Sequence, residues 1–379
     1  MPEQHLHIIS FTIPYPPNYG GAIDVFYKIR ALHAAGLKVH LHCFSYDRHP
    51  SPELEKYCHE VHYYPRKTGL GSALTWKPYI VYSRRSDKLL ENLQQDKFPI
   101  LFEGLHSCYY LSHPSLVNRT RIYRESNIEH LYYYHLSKAE PNLLRKLFYI
   151  LSSLKLRAYQ GVLSHASLML TVSREDNDYL SQKFPGNRVE YLPSFHKDDS
   201  VKTVPGMGEF ALYQGNLSVA ENDKAASFLV KEVFKDSGIR FIIAGLNPSG
   251  SLERLVRKSP DVTLVSNPTE EEMNGFIRSA QVNIMVTFQP TGLKLKLLNA
   301  LFNGRHCLVN PEMVFGTELG GLCETAMNAP ELRKKMKELM VRPFSEEMIR
   351  LRSHQLLKWH SNKENCIRLV NLLSLFSGD

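Results

Sequence analysis

The sequence predicts an α/β protein built from two doubly wound parallel-sheet domains in series. Three observations carry this reading. At 379 residues the chain is too long for one ordinary core and suits two domains of comparable size. It opens with a strand–loop–helix–strand unit, the start of a parallel sheet. After a loop-rich stretch near the middle, the same grammar begins again.

The opening unit reads as follows. Leu6-His7-Ile8-Ile9-Ser10-Phe11 is a short, β-compatible apolar run, and the breaker-dense loop Pro14-Tyr15-Pro16-Pro17-Asn18-Tyr19-Gly20-Gly21 follows it. Val25, Phe26, Ile29 and Leu32 then recur at helical spacing, and Gly36 can end that helix. Val39 to Phe44 is the second strand. Further strands are expected at Ile100-Leu101-Phe102, Arg121-Ile122-Tyr123 and Leu168 to Val172. Pro193, the polar run His196 to Ser200, Pro205, Gly206 and Gly208 read as a linker. Beyond it come strand Phe210 to Tyr213, loop Gly215 to Ser218, and a helix carrying Ala226, Leu229, Val230 and Val233. Strands Phe241 to Ala244 and Val262 to Val265, a helix near 269–279, strand Val282 to Val286, a helix from about Leu293 and strand Cys307 to Val309 follow. The expected division is residues 1–200, residues 207–345, and helices over 346–379 packing back toward the N-terminal domain. Ligands of open parallel sheets sit outside the carboxyl ends of the strands, so two such domains are expected to face one cleft.

Composition narrows the function classes. No apolar run reaches the ~18 to 20 residues of a membrane span, and the first residues lack the basic and apolar regions of a secretory signal. The six cysteines are scattered without a Cys-x-x-Cys pair, against a zinc site or disulfide framework and for a reducing, cytoplasmic setting. The net charge of +8 suits an anionic ligand or membrane surface. With no nucleic-acid motif, nucleic acid is not an expected partner.

The main candidate site is Thr291-Gly292-Leu293-Lys294-Leu295-Lys296-Leu297-Leu298-Asn299-Ala300-Leu301, between a strand and a helix. Unpaired N–H groups at a helix start bind phosphate oxygens, and Gly292 allows close backbone approach. Helical spacing puts Gly292, Lys296 and Asn299 on one face, with Lys294 as a further cation. The alternative is an ordinary amphipathic helix with solvated lysines. Gly20 and Gly21 suit a cleft loop, or a plain turn. Gly215 and Asn216 take the equivalent place in the second half, adding phosphate-binding amides or forming a turn with Ser218 as cap. Glu103 and His106 follow a strand, where a catalytic acid or base would sit. Arg124, Glu125, Asn127 and Glu129 follow the next strand and read as acceptor-side hydroxyl contacts or a solvated loop. The basic, apolar stretch Leu143 to Arg157 reads as a domain helix with its leucines in the core, preferred here, or as a helix lying on an anionic bilayer. Trp76, Tyr79, Arg84 and Arg85 carry the same ambiguity.

Several segments, in order, resemble the retaining, family-four type of GT-B glycosyltransferase. Pro14-x-Pro16-Pro17-x-x-Gly20-Gly21 is similar to its first loop. Asn127-Ile128-Glu129 is similar to its Asn-hydrophobic-Glu segment, and Val172-Ser173-Arg174-Glu175-Asp176 to its Val-Ser-x-x-Asp step. Gly215-Asn216-Leu217-Ser218 with Glu221-Asn222 resembles a subgroup's turn. Thr291 to Leu301, continued by Asn303-Gly304-Arg305, is similar to its Ser-Gly-Ile-Lys-x-Lys-x-x-Glu-Ala helix. Where the family carries two glutamates eight positions apart, this chain has Thr291 and Asn299. The resemblance implies a hexosyl transfer, retaining and metal-independent, from a nucleotide-diphosphate sugar to a glycan or lipid-linked acceptor, with no cofactor; peripheral membrane contact rests instead on the stretch Leu143 to Arg157. It places Thr291 at the donor sugar, Asn299 at the ribose, and Gly292, Leu293, Lys294 and Lys296 at the diphosphate. A catalytically silent partner protein and a sugar-nucleotide epimerase on the same fold are the alternatives.

Overall fold

The computed structural model describes residues 4–69, 71, 75–140, 142–288 and 294–376. They form two compact units: one reaches Lys197 and resumes at His360, and the other takes the described residues between Asp198 and Trp359.

The first unit holds a sheet of seven strands: β1 (His5–Ser10), β2 (Lys38–Ser45), β3 (Glu60–Pro65), β4 (Ile100–Glu103), β5 (Arg121–Arg124), β6 (Leu168–Thr171) and β7 (Arg188–Tyr191). Their order is β3-β2-β1-β4-β5-β6-β7, and every pairing is parallel. The apolar runs are continuous because both faces are covered. Leu6 and Ile8 of β1 enter one core cluster and Ile9 the other; Leu101 and its neighbours Ile100 and Phe102 divide the same way in β4. The helix Gly20–Ala34 lays Val25, Ile29 and Leu32 on the first of these clusters, and Gly36, at φ 87°, follows its end as expected.

The second unit holds a sheet of six strands: β8 (Ala211–Asn216), β9 (Phe241–Leu246), β10 (Val262–Ser266), β11 (Val282–Met285), β12 (His306–Val309) and β13 (Glu324–Thr325). Their order is β10-β9-β8-β11-β12-β13, again parallel throughout. Its core gathers Tyr213, Ala226, Leu229, Ile243 and Ile284. The expected C-terminal helices divide between the units. Helix Glu346–His360 belongs mainly to the second, where Arg352 donates to the carbonyls of Gly304 (2.7 Å) and Arg305 (2.6 Å). Helix Asn362–Ser374 puts Cys366, Leu369 and Leu373 into the core beside helix Gly20–Ala34.

One expectation is corrected. The leucines of helix Leu143–Tyr159 do not fill the core; of its 17 residues only Leu156 is buried. The helix leans on helix Glu129–Ala139 through its other face, with Ser153 Oγ donating to the His130 carbonyl at 2.7 Å.

Candidate functional site

In each sheet the strand order reverses once, between β8 and β11 in one unit and between β1 and β4 in the other. Loops leaving the carboxyl ends of strands at such a switch point diverge and leave a crevice for ligands. Some of the sequence-predicted residues lie beside these points, among them Gly215, Asn216 and Lys296 in one unit and His106 and Glu129 in the other.

In the second unit, β8 ends at Asn216 and turns into helix Ala220–Phe228, and the residues after neighbouring β11 run past Thr287. Lys296 lies in the first turn of helix Leu295–Asn303, which Lys294 caps. Its half-buried ammonium donates to Asn222 Oδ1 at 3.2 Å and lies 5.5 Å from the Tyr213 ring centroid. Burial pushes Lys296 down to about 8, against the pull of Glu221. Asn222 joins the pieces: its Nδ2 donates to the Asn216 carbonyl at 2.9 Å, and its own carbonyl accepts from Tyr213 Oη at 3.2 Å. A Cβ on Gly215 would stand 3.3 Å from Asn222 Cγ, so the glycine lets this contact form. Glu221 accepts from the Thr287 hydroxyl and from the Phe288 N–H (3.1 Å), tying the two loops together. Ser218 does not cap the helix as expected. Its hydroxyl donates to Asn216 Oδ1 at 2.7 Å, and Val219 holds the cap position. Asn299 Oδ1 accepts from Asn303 Nδ2 at 2.9 Å, so its oxygen is engaged within its own helix. Thr291, Gly292 and Leu293 lie outside the described residues.

In the first unit, three neighbouring strands contribute. Phe11 follows β1, His106 follows β4, and Glu129 begins the helix after β5. His106 Nδ1 faces Glu129 Oε1 at 3.6 Å and has no hydrogen-bond partner, while the His106 ring is tilted against Phe11 with centroids 5.1 Å apart. Gly104, at φ 68°, makes the turn that brings His106 back; a Cβ there would press on Nδ1 at 3.2 Å. Burial, with the Arg84 and Arg66 cations, holds His106 well below its ordinary value. Burial pushes Glu129 up to about 8, against Arg84. Both groups are therefore mainly uncharged near neutrality. Arg84 is itself buried and pinned by carbonyls, with Nε donating to Phe11 O at 2.7 Å.

Other predicted residues are turned inward. Glu103 accepts from Lys28 Nζ at 2.6 Å, and Lys28 also reaches Asp24 at 3.0 Å. Arg124 is fully buried; it donates to the Leu192 and Pro193 carbonyls (2.5 and 3.1 Å) and pairs with Asp24 at 3.3 Å. Burial raises Asp24, but Arg124 and Lys28 outweigh it and hold the group at about 2. Glu103 and Arg124 thus belong to an internal ion network beneath the strand ends. Asn127 is half-buried and gives its backbone N–H to Glu125 Oε1 at 2.9 Å. Gly20 begins helix Gly20–Ala34, and Gly21 is needed inside the molecule: a Cβ there would stand 2.4 Å from the tip of Phe11. Sequence reading missed Lys28 and Asp24. The signal was their i, i+4 spacing on a helix whose apolar stripe they adjoin.

No family model matches the chain. It is 24% identical over 329 residues to an uncharacterized 44.6 kDa protein in the cps region of Klebsiella pneumoniae, covering 78% of this chain and 80% of that one. Among solved structures it is similar to Anabaena HepE in complex with UDP and glucose, with a TM-score of 0.67 and 11% identity over 98% of this chain and 100% of that one. Arabidopsis thaliana UGT89C1 complexed with UDP-L-rhamnose gives 0.57 and 13%, over 98% and 100%. The Thermobaculum terrenum O-GlcNAc transferase gives 0.58 and 10%, over 99% and 67%. The chain has the two-domain GT-B fold that the resemblance implies.

Proposed function

We propose that the protein is a glycosyltransferase moving a sugar from a nucleotide-diphosphate donor to a glycan or lipid-linked acceptor. The observation that carries this is Lys296, a half-buried ammonium between the loops of β8 and β11 at the switch point. Charge grows on the diphosphate as the sugar leaves, and a fixed cation in a partly dry site stabilises it more than it would in water. Lys294, at the cap of the same helix, adds to that charge, so transfer is expected to survive removal of divalent metal by EDTA. Support comes from HepE and UGT89C1, whose structures contain UDP and glucose and UDP-L-rhamnose, and from the relative's place in a cps region.

In the first unit, neutral His106 takes the acceptor's hydroxyl proton on Nε2, with Nδ1 facing the Glu129 carboxyl group at 3.6 Å. The acceptor oxygen bonds to the anomeric carbon, and the bond from that carbon to the diphosphate oxygen breaks. A histidine acting directly on the attacking hydroxyl favours inversion, whereas the family resemblance favours retention; NMR of the product's anomeric proton separates them. The test of the donor site is Lys296→Ala. Losing a charge-assisted contact of about 1.5 to 3 kcal/mol weakens nucleoside-diphosphate binding by roughly 10- to 100-fold. Unchanged affinity by calorimetry sinks this assignment. Wild-type protein should release free sugar and nucleoside diphosphate slowly without acceptor. No release at all would favour a silent binding protein, and an isomerised donor an epimerase.

A further inference from the structure

The solvent face of helix Leu143–Tyr159 is a long apolar stripe. Leu143 and Leu144 are each 80% exposed, and Leu147, Phe148, Leu151 and Leu154 are all exposed beside them. Their spacing places them on one side of the helix, opposite buried Leu156. Residues of this kind are normally hidden, and a contiguous apolar strip on a surface marks a contact. Its margins are basic. Lys146 and Arg157 flank one edge and Lys155 the other, and no acidic residue occurs between 143 and 159. Lys155 Nζ also holds the Thr75 carbonyl at 2.8 Å, which places Trp76, 96% exposed, on a segment fastened to this helix. At the C-terminal half lies a cavity of about 780 Å³ whose lining includes Leu131, Tyr134, Leu154, Arg157 and Lys183.

We propose that this face lies on an anionic lipid bilayer, with the leucine stripe and Trp76 among the acyl chains and Arg157 and Lys183 at a lipid phosphate in the adjoining cavity. The charge pattern selects this occupant. A protein partner would need no cationic margin free of acids, whereas an apolar stripe edged by Lys and Arg is the pattern of a helix in the plane of a membrane surface. A tryptophan beside it suits the interface, where its ring is half in contact with lipid. The inference stands apart from the sugar-transfer reading, since it uses none of the groups placed in that chemistry.

The experiment is sedimentation of the full chain with vesicles of phosphatidylcholine alone and of phosphatidylcholine with phosphatidylglycerol. Binding is expected to the anionic vesicles and to fall by about tenfold or more in Leu147→Glu/Leu151→Glu, both surface changes. Arg157→Gln/Lys183→Gln should remove most of the preference for phosphatidylglycerol. Circular dichroism and the thermal melting profile of the same variants report whether the protein is still folded, whatever the outcome of the sugar-transfer tests. Failure of the wild type to sediment with anionic vesicles overturns the proposal, as does binding that the leucine variant leaves unchanged. A concentration-dependent dimer that the leucine variant dissociates, without vesicle binding, overturns it in favour of a second copy of the chain.

Discussion

Glu129 shows what burial does to a single proton. Its carboxyl group is almost wholly enclosed and holds its proton up to about pH 8, whereas in the unfolded chain the same group ionises near 4.5. Between those values the unfolded state has lost a proton that the folded state keeps. Stability therefore falls as pH rises from about 4.5, and the loss is complete above about 8. Glu129→Gln keeps the shape and removes the ionisation. We expect its melting temperature to exceed that of the wild type at pH 8.5 and the gain to vanish at pH 5. An equal difference at both values rejects the buried, protonated carboxyl. If Glu129 also orients His106, transfer slows in this variant while nucleoside-diphosphate affinity stays unchanged. Sequence alone gave each of these residues a place after its own strand. Their approach to 3.6 Å depends on β4 and β5 pairing in register, and no local pattern encodes that. Arg124 was misplaced for a related reason: all four residues of β5 are buried, so its charge points into the fold instead of at an acceptor.

At the scale of elements, β1, β2 and β3 carry a ladder of hydrogen-bonded histidines. Asp96 accepts from His7 Nε2 at 3.0 Å, and His7 Nδ1 lies 2.9 Å from His42 Nε2. His42 Nδ1 shares a hydrogen bond with Tyr64 Oη at 2.8 Å, and Tyr64 accepts from Asn92. A parallel chain runs from His5 through His40 to Glu60, which His62 also meets. Burial, then the neighbouring His7, keeps His42 well below its ordinary value, with His62, His40 and Arg119 adding repulsion. The unfolded His42 gains a proton near 6.5 that the folded one refuses, so its contribution is present above that pH and is lost as pH falls, at roughly 1.4 kcal/mol per pH unit for a full proton. We expect His42→Gln to lower the urea midpoint at pH 7.5 and the gap from wild type to narrow toward pH 5; a gap independent of pH excludes the ladder. The same strands show what was legible. Buried strands such as β1, β4 and β11 stand out as apolar runs, while β3, β7 and β13 went unread. All three are edge strands with partly exposed residues, and such strands need no continuous apolar sequence. Helix Leu143–Tyr159 failed in the opposite direction, since composition alone cannot tell an apolar stripe facing a core from one facing outward.

The whole molecule keeps one fold at 10 to 13% identity to the solved glycosyltransferases, which locates its determinants in pattern more than in particular residues. Strand–helix alternation and two reversals of strand order suffice to set two switch points, and the chemistry then depends on the few side chains placed there. Each unit also encloses its own core. The described clusters around Ile9, Phe102 and Leu6 contain only first-unit residues, and those around Tyr213, Ile243 and Leu212 only second-unit residues. Separate cores unfold as separate cooperative systems, so calorimetric heating should resolve two transitions. A nucleoside diphosphate held by Lys296 binds the second unit, and at 100 times its dissociation constant it adds about 2.7 kcal/mol to that unit alone. For a unit of this size the gain corresponds to a rise of roughly 5 to 10 °C in one transition, with the other unmoved. Lys296→Ala should leave both transitions present and abolish the ligand-induced shift. A single transition that moves as a whole with UDP would show that the two cores do not melt independently, and a shift that persists in the lysine variant would move the diphosphate away from the β8–β11 crevice.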